Sequence, residues 1–366
     1  MRSLLRFGLT LPMLFLAFQA PSIAQAPAQP ASPPPSTSPA QSTAPAQTAA
    51  PPQQAQTQQP GYSIAVTVPV VNVDVIVTDN DGNFIRGLKK QNFRILEDGT
   101  TQEITNFSTG DAPITVVILM EYNSRGWGYY NYTGIRWADN FLRQIGPKDW
   151  VALESFSIRP NVEVDFTHDP REIEQGLNGM RVPPAFHEAN LFDAVVDVLD
   201  RMQDVKGRKA VLVLATGVDT FSRLTLDKTL SHLKETDVTI FTVGVAEELA
   251  LRQEMFGGQG TNSLTFLQAQ NQLKSFAALT GGRFWSPRFD GEVPGIMQDI
   301  ANSLRNQYSL GYTSSNKALD GKYRKLKVEI LDDNGGPFTI TNAKGKNEKI
   351  QVYARQGYTA PKGDVN

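Results

Sequence analysis

The sequence predicts an α/β protein: a doubly wound, mostly parallel sheet with helices on both faces, inserted in a small β-sandwich-like domain formed by N- and C-terminal strands. Three observations predict it. Between residues 113 and 306, short apolar runs alternate with amphipathic stretches of helical period, the grammar of a buried parallel sheet wrapped by helices. On either side, residues 61–112 and 307–358 carry Val- and Ile-rich alternation and Gly-containing turns. Two or three strands alone leave edges and an apolar face uncovered, so the flanking segments are expected to pair with each other.

The chain opens MRSLLRFGLTLPMLFLAFQAPSIAQA, with Arg2 and Arg6 ahead of a mostly apolar run from Leu9 to Phe18, then small residues at Ser22 and Ala24. This predicts a secretory signal peptide over 1–24. The apolar run is shorter than the ~20 residues that span a bilayer, and Pro12 interrupts it, so an uncleaved anchor is the weaker reading. Cleavage is placed after Ala24, since a cut after Ala26 would set Pro27 beside the scissile bond. Residues 25–60 are almost wholly Pro, Ala, Gln, Ser and Thr, which predicts a disordered tether with extended polyproline stretches.

IAVTVPVVNVDVIV at 64–77 reads as a strand, and Asp79 to Asn83 as a turn in which Gly82 takes positive φ. Residues 93–96 followed by Glu97-Asp98-Gly99 repeat that design, and β grammar runs on to about Phe107. The parallel sheet begins with ITVVILM from Ile114. Helices are expected at 134–145, with Ile135, Ala138, Phe141, Leu142 and Ile145 on one face, and at 190–203, with Leu191, Val195, Leu199 and Met202. Strands lie between them at 151–156 and 162–166. A strand at 210–214, a helix at 226–235, a strand at 238–245, a helix ending at Gly281-Gly282 and a helix at 294–306 complete the unit. After Gln307 come YSLGYT, KYRKLKVEIL, a turn at Gly335-Gly336, a last strand near 350–354 and a tail at 359–366.

Composition excludes several function classes. With 35 basic and 37 acidic residues, a net charge of −2 and no long run of one sign, nothing favours nucleic acid. The chain has no cysteine, hence no disulfide, no thiol nucleophile and no cysteine-borne lipid anchor. His168, His187 and His232 lack metal-ligand spacing, and no serine sits in a Gly-x-Ser-x-Gly elbow. Gly257-Gly258-Gln259-Gly260 lacks the Lys-Ser/Thr pair of a phosphate loop and reads as a flexible insertion. Asp193 and Asp219 read as helix-start and loop residues. A non-enzymatic protein is therefore expected.

VDVIVTDNDGNFIRGLKKQNFRILEDGTTQEITNF, the strand into Glu121, ANLFDAVVDVL, KAVLVLATGVDTFSRLTLDKTL, VTIFTVGV, LTGGRFW, and YSLGYTSSN before GKYRKLKVEI follow one another in an order that resembles the von Willebrand factor A domain. The likeness runs from about Val71 to Tyr358, and within the family it is to the bacterial exported VWFA-related group. The resemblance implies a metal-ion-dependent adhesion site, read Asp-x-Ser-x-Ser in the loop after the first strand, with a Thr and an Asp from two further loops, together holding Mg²⁺. At those places this chain has Glu121, Asn123, Arg125, Ala189 and Thr216; Ala189 rests on aligning NLFDA with the family's Leu-Tyr-Asp-Ala, and Thr216 on aligning LATG with Leu-Thr-Asp-Gly. Glu121 is one methylene too long for the tight octahedral Mg²⁺ shell, Arg125 repels a cation, Ala189 offers no oxygen and Thr216 no charge. The site is expected to be degenerate, with no cofactor and Mg²⁺ as the less favoured alternative. Arg125 reads as a solvated loop residue, the alternative being an ion pair with Glu121 or with an acid brought by a partner.

Trp127, Tyr129, Tyr130 and Tyr132 follow this loop at the edge of the sheet where open α/β folds bind ligands. They are either a contact surface or packing beneath the loop. With Glu121, Asn123, Ser124 and Arg125 they make the candidate partner-binding set, suited to a protein and, as a further alternative, a glycan. The function expected is an exported interaction module, periplasmic or extracellular, that binds a protein without metal and has no transmembrane segment once mature. The rivals are a divalent-cation-dependent adhesion protein and a hydrolase whose site carries no familiar motif.

Overall fold

Val71, Val73, Val75 and Val77 of β1 (Val70–Thr78) face one core while Ile76 between them joins another, so the first strand serves both halves of the molecule. The computed structural model describes residues 70–110, 112–123, 135–180, 187–245, 247, 263–341, 345 and 347–363. The expected signal peptide, the tether, the start of the first predicted strand and the Gly-rich insertion at 257–260 lie outside them.

From the N-terminal side come β1, β2 (Phe93–Glu97), β3 (Thr100–Gln102) and β4 (Ile104–Ser108); from the C-terminal side come β11 (Tyr308–Thr313), β12 (Tyr323–Ile330), β15 (Gln351–Ala354) and β16 (Gly357–Thr359). They form two four-stranded sheets in the orders β15-β1-β11-β4 and β16-β12-β2-β3. Each sheet interleaves both ends of the chain: Val73 stands opposite Leu310, and Ile95 opposite Val328, in antiparallel pairs. Their alternate residues close one apolar core around Ile95, Leu310, Tyr312 and Val328. The sandwich runs past the expected tail boundary, because Ala360 is buried with its N–H on Lys322 O at 2.9 Å and Lys362 bridges to Asp320. A short hairpin, β13 (Thr339–Thr341) and β14 (Asn347–Lys349), is a further element the sequence did not separate.

A buried carboxylate is fixed inside this sandwich. Tyr312 and Tyr358 hydroxyls donate to Glu97 Oε2 at 2.6 and 2.9 Å, Ser314 Oγ donates to Oε1 at 2.6 Å, and Arg324 Nη1 lies 3.3 Å from Oε1. Burial pushes the Glu97 pKa up, but the donors from Ser314, Tyr312 and Tyr358 and the Arg324 charge outweigh it, leaving the pKa below the ordinary value.

The second half is a six-stranded sheet built from β5 (Ile114–Glu121), β6 (Trp150–Phe156), β7 (Pro160–Thr167), β8 (Arg208–Ala215), β9 (Thr239–Gly244) and β10 (Phe284–Trp285), in the order β10-β9-β8-β5-β6-β7. All neighbours are parallel except β7, which runs antiparallel at the edge. Every residue of β5 is buried because both sheet faces are covered: Val116, Ile118 and Met120 enter one core, Val117 and Leu119 the other. The first core is closed by Phe141 and Leu142 of α1 (Ile135–Leu142), Ile173 and Leu177 of α2 (Pro170–Gly179), and Ile300 and Leu304 of α6 (Val293–Arg305). Leu191, Val195 and Leu199 of α3 (Leu191–Arg201), Leu233 of α4 (Leu226–Glu235) and Phe276 of α5 (Ser263–Thr280) close the second.

Two helices differ from expectation. α1 ends at Leu142, three residues early, as Gln144 and Ile145 donate to the carbonyls of Phe141 and Leu142 in a tightened last turn before Gly146. Its buried face includes Trp137, which the predicted stripe omitted. α2 was not expected at all, although its start is marked: Asp169 accepts the Arg171 N–H at 3.0 Å and Pro170 takes the first helical position.

On β6, Glu154 is fully buried and meets Arg201 from the last turn of α3. Loss of water raises its pKa to about 7 despite the Arg201 charge, with Asp197 adding to the rise. The folded chain therefore holds a proton that the unfolded chain releases near the ordinary value of 4.5, so this group's contribution to stability is lost as pH rises from there through about 7. Arg201 is partly exposed, which limits the effect to the order of 2 kcal/mol. Glu154→Gln is expected to flatten that part of the pH dependence, so thermal melts should show the variant gaining on the wild type between pH 5 and pH 8 (about 2 kcal/mol at most). A constant difference across that range would contradict the assignment.

Candidate functional site

β5 and β8 end side by side at the carboxyl edge of the parallel sheet, which sets Glu121 next to Thr216. Both residues are fully buried, as are Asn123 and Ala189. The Glu121 carboxylate is held by neighbours from two loops. Thr216 donates its backbone N–H and its hydroxyl to Oε2 at 2.6 and 2.7 Å, and Asn123 Nδ2 donates to Oε1 at 2.8 Å. The same Asn123 amide reaches Glu188 O at 3.2 Å, tying the first loop to the one that carries Ala189.

The loop after β8 can turn here because of Gly217. Its φ is +82°, and a Cβ there would stand 2.6 Å from Ala269 O of α5. Beyond it, Thr220 and Phe221 donate their N–H groups to Ala189 O at 2.8 and 3.0 Å, and Thr220 Oγ1 accepts the Ala189 N–H at 2.9 Å. Ala189 thus contributes its backbone to the site, as a clamp between loops.

The start of α3 is closed by the same loop. Asn190 occupies the cap position without capping through its side chain; Asp219 Oδ1 and Ser222 Oγ accept the Phe192 N–H at 3.2 and 3.1 Å instead. Asp219 is more than a loop residue, since it supplies the cap from 27 residues away. Burial raises its pKa, against the hydrogen bond from Ser222. Asp193 sits in the first turn as expected but reaches outward to the N–H groups of Arg223 and Leu224 at 3.0 and 2.9 Å.

The structure therefore brings together Glu121, Asn123, Ala189 and Thr216. Ser124, Arg125, Trp127, Tyr129, Tyr130 and Tyr132 lie outside the described residues. Mg²⁺ asks for six oxygens at about 2.0–2.1 Å, and the four described positions do not fit it. Both Glu121 oxygens already accept hydrogen bonds, and the Thr216 hydroxyl donates to Glu121 while accepting the Val218 N–H at 3.2 Å. Asn123 turns its amide nitrogen toward the carboxylate, and Ala189 has a methyl group. Among the described residues, no three His, Cys, Asp or Glu side chains are grouped to hold a metal. His168 lies elsewhere, its Nδ1 2.6 Å from Asp149 O and its ring against Trp150, while His232 is on α4.

Sequence reasoning missed a set of exposed apolar side chains at this edge. Phe221 follows β8, Leu264 and Leu267 open α5 after β9, and Phe289 follows β10; they are 55%, 64%, 57% and 59% exposed. The signal available was Leu264 and Leu267 three residues apart on a helix whose other positions suffice to cover the sheet.

No protein-family model matches the chain, and no curated protein matches it. Solved structures similar to it include proximal thread matrix protein 1 from the mussel byssus, at 12% identity and a TM-score of 0.43, covering 57% of this chain and 51% of that one. The chain thus matches about half the length of the mussel protein. The vWF domain of the type V pili tip protein Mfa5 from Porphyromonas gingivalis gives 12% identity and a TM-score of 0.40, covering 52% and 95%. The ArnB paralog VWA2 from Sulfolobus acidocaldarius gives 13% and 0.40, covering 80% and 76%. Two of these are named for a vWF or VWA domain, the family that the order of motifs in this chain resembles, and at such identities and TM-scores the likenesses say nothing of function.

Proposed function

We propose that this protein is a non-enzymatic interaction module that binds a protein partner at the carboxyl edge of its parallel sheet without using a metal ion. The observation that carries the proposal is the closed network at Glu121, in which Thr216 and Asn123 donors occupy the carboxylate that a cation would need. Phe221, Leu264, Leu267 and Phe289 are each more than half exposed on segments that follow strands of the same edge, and they are the apolar side chains that the reading places against the partner. The aromatic cluster Trp127, Tyr129, Tyr130 and Tyr132, with Ser124 and Arg125, follows directly in sequence. We further propose export through a signal peptide cleaved after Ala24, with 25–60 as a disordered tether, 61–112 and the segment from 307 through 362 as the paired β segments and 113–306 as the α/β unit. No helix among the described residues is long and apolar enough to cross a membrane.

Affinity capture from the source cell's envelope, using the mature chain with its tether, tests the reading. The same protein should be retained in EDTA and in Mg²⁺, and should be lost when Phe221→Glu and Leu267→Glu are combined. Capture that requires Mg²⁺ would favour the cation-dependent alternative, and capture indifferent to both substitutions would place the partner elsewhere.

A further inference from the structure

At the opposite end of the parallel sheet, where the sandwich meets its amino edge, two cavities of about 410 and 780 Å³ share Asn72, Asp237 and Arg355 in their linings. Arg355 is 9% exposed. Its Nε donates to Gly357 O at 3.0 Å and its guanidinium carbon lies 6.0 Å from the Tyr358 ring centroid, but its two terminal nitrogens make no hydrogen bond and no carboxylate lies within 4.0 Å, among the described residues. The terminal nitrogens of the other buried cations here have oxygen partners, although Arg208 Nε and Arg324 Nε make no hydrogen bond among the described residues. Arg208 donates to the carbonyls of Gly110, Ala112 and Leu304 and to Gln307 Oε1, Arg324 meets Glu97, and Lys209 meets Asp237 at 2.7 Å. Of the three acids in the linings, Asp237 is paired with Lys209 and Asp74 accepts the Ser309 hydroxyl at 2.5 Å, while Glu235 is exposed.

The position of Arg355 is built into the fold. Its backbone bridges to Thr280, and the Gln356 N–H donates to Leu279 O at 3.2 Å. Close approach to the end of α5 requires Gly281, with φ +86°, where a Cβ would stand 2.6 Å from Arg355 N. The smaller cavity then offers an apolar wall that includes Val70, Val71, Leu319, Tyr358 and Pro361.

We propose that this cleft binds a monocarboxylate with an apolar body, the carboxylate on the Arg355 fork and the apolar part along Val71, Leu319 and Pro361. A guanidinium presents paired donors that match a carboxylate bidentately. The Asp74, Asp237 and Glu235 side chains in the linings disfavour a dianion such as a phosphate monoester. The volume is that of a small-molecule site. Burial lowers the Arg355 pKa below the ordinary guanidinium value, and a bound anion would relieve that cost.

Calorimetry on the full chain with octanoate and its uncharged analogue octanamide tests the proposal. Octanoate should bind, and octanamide should bind about tenfold more weakly or worse. Arg355→Gln should remove the difference, while Arg355→Lys should keep part of it. Leu319→Glu changes a side chain that is 56% exposed, so it spares the fold and should weaken octanoate by about tenfold. No octanoate binding up to about 20 mM, equal affinity for the amide, or octanoate affinity unchanged by Leu319→Glu would each overturn the proposal, the last even if Arg355→Gln fails to fold. A short peptide ending in a free leucine carboxylate, compared with its amidated form, identifies the source. Binding tighter than octanoate and lost on amidation points to a polypeptide C-terminus, weaker binding to a free acid, and both support a carboxylate site.

Discussion

Deleting everything after Gln307 is expected to unfold residues 70–108 while leaving the parallel sheet in place. β1 would lose both neighbours, β11 and β15; β4 would lose β11; β2 would keep only the three-residue β3. Val73, Val75 and Ile95 would then face water instead of Leu310, Tyr312 and Val328. A two-stranded remnant with one apolar face has too little buried area to offset the entropy of ordering it. Limited proteolysis read by mass spectrometry should find cleavage throughout 70–108 under conditions that spare that segment in the intact chain, with the strands at 114–121, 150–156, 208–215 and 239–244 still resistant. Native resistance of 70–108 in the truncated protein would mean that the two ends do not share a domain.

Replacing Arg324 with Met should cost about 3–5 kcal/mol, the usual loss when one member of a buried ion pair is removed. The Arg324 and Glu97 side chains are only 4% and 2% exposed, so the Glu97 carboxylate would stay buried without its cation. Arg324 also donates to the carbonyls of Asn316 and Ala318, which anchors the segment leading into β12. Adding Glu97→Gln should recover part of the loss by removing the uncompensated charge. Acid has a related effect: because the folded Glu97 pKa lies below its ordinary value, its contribution is present at neutral pH and lost as pH falls through the folded value. Urea unfolding at neutral pH measures the first effect, and a loss below about 1 kcal/mol would show the pair to be dispensable.

What the sequence made legible was what it encodes locally. ITVVILM reads as a strand covered on both faces because every one of its residues is apolar apart from one Thr, and each is buried. Helix 226–235 is legible because Thr225 caps it from the adjacent position. The departures from the family's metal loop at Glu121, Asn123, Ala189 and Thr216 were equally plain, since they are substitutions at named places. What those residues do instead was not, because it depends on contacts across 95 residues, from Thr216 back to Glu121. The Asp219 cap on α3, the Arg208 bonds to the carbonyls of Gly110 and Leu304 and the burial of Arg355 likewise arise only when distant segments meet, and no periodicity signals them. α2 is a different case: Asp169-Pro170 announced it, but two buried residues, Ile173 and Leu177, make too short a stripe to register as a helix.

The central claim is that Glu121, closed by Thr216 and Asn123, does without a cation, and thermal melting of the full chain with and without Mg²⁺ tests it most directly. A ligand that binds only the folded state raises stability by RT ln(1 + [L]/Kd), so a functional site would add about 2.7 kcal/mol at a hundredfold excess over Kd. The expected result is an unchanged melting temperature in millimolar Mg²⁺, both for the wild type and for Arg125→Ser, because restoring one position leaves Ala189 and Thr216 without the missing oxygen and charge. A rise of several degrees in the unmodified protein, abolished by Glu121→Ala, would contradict the account and return the site to the cation-binding class.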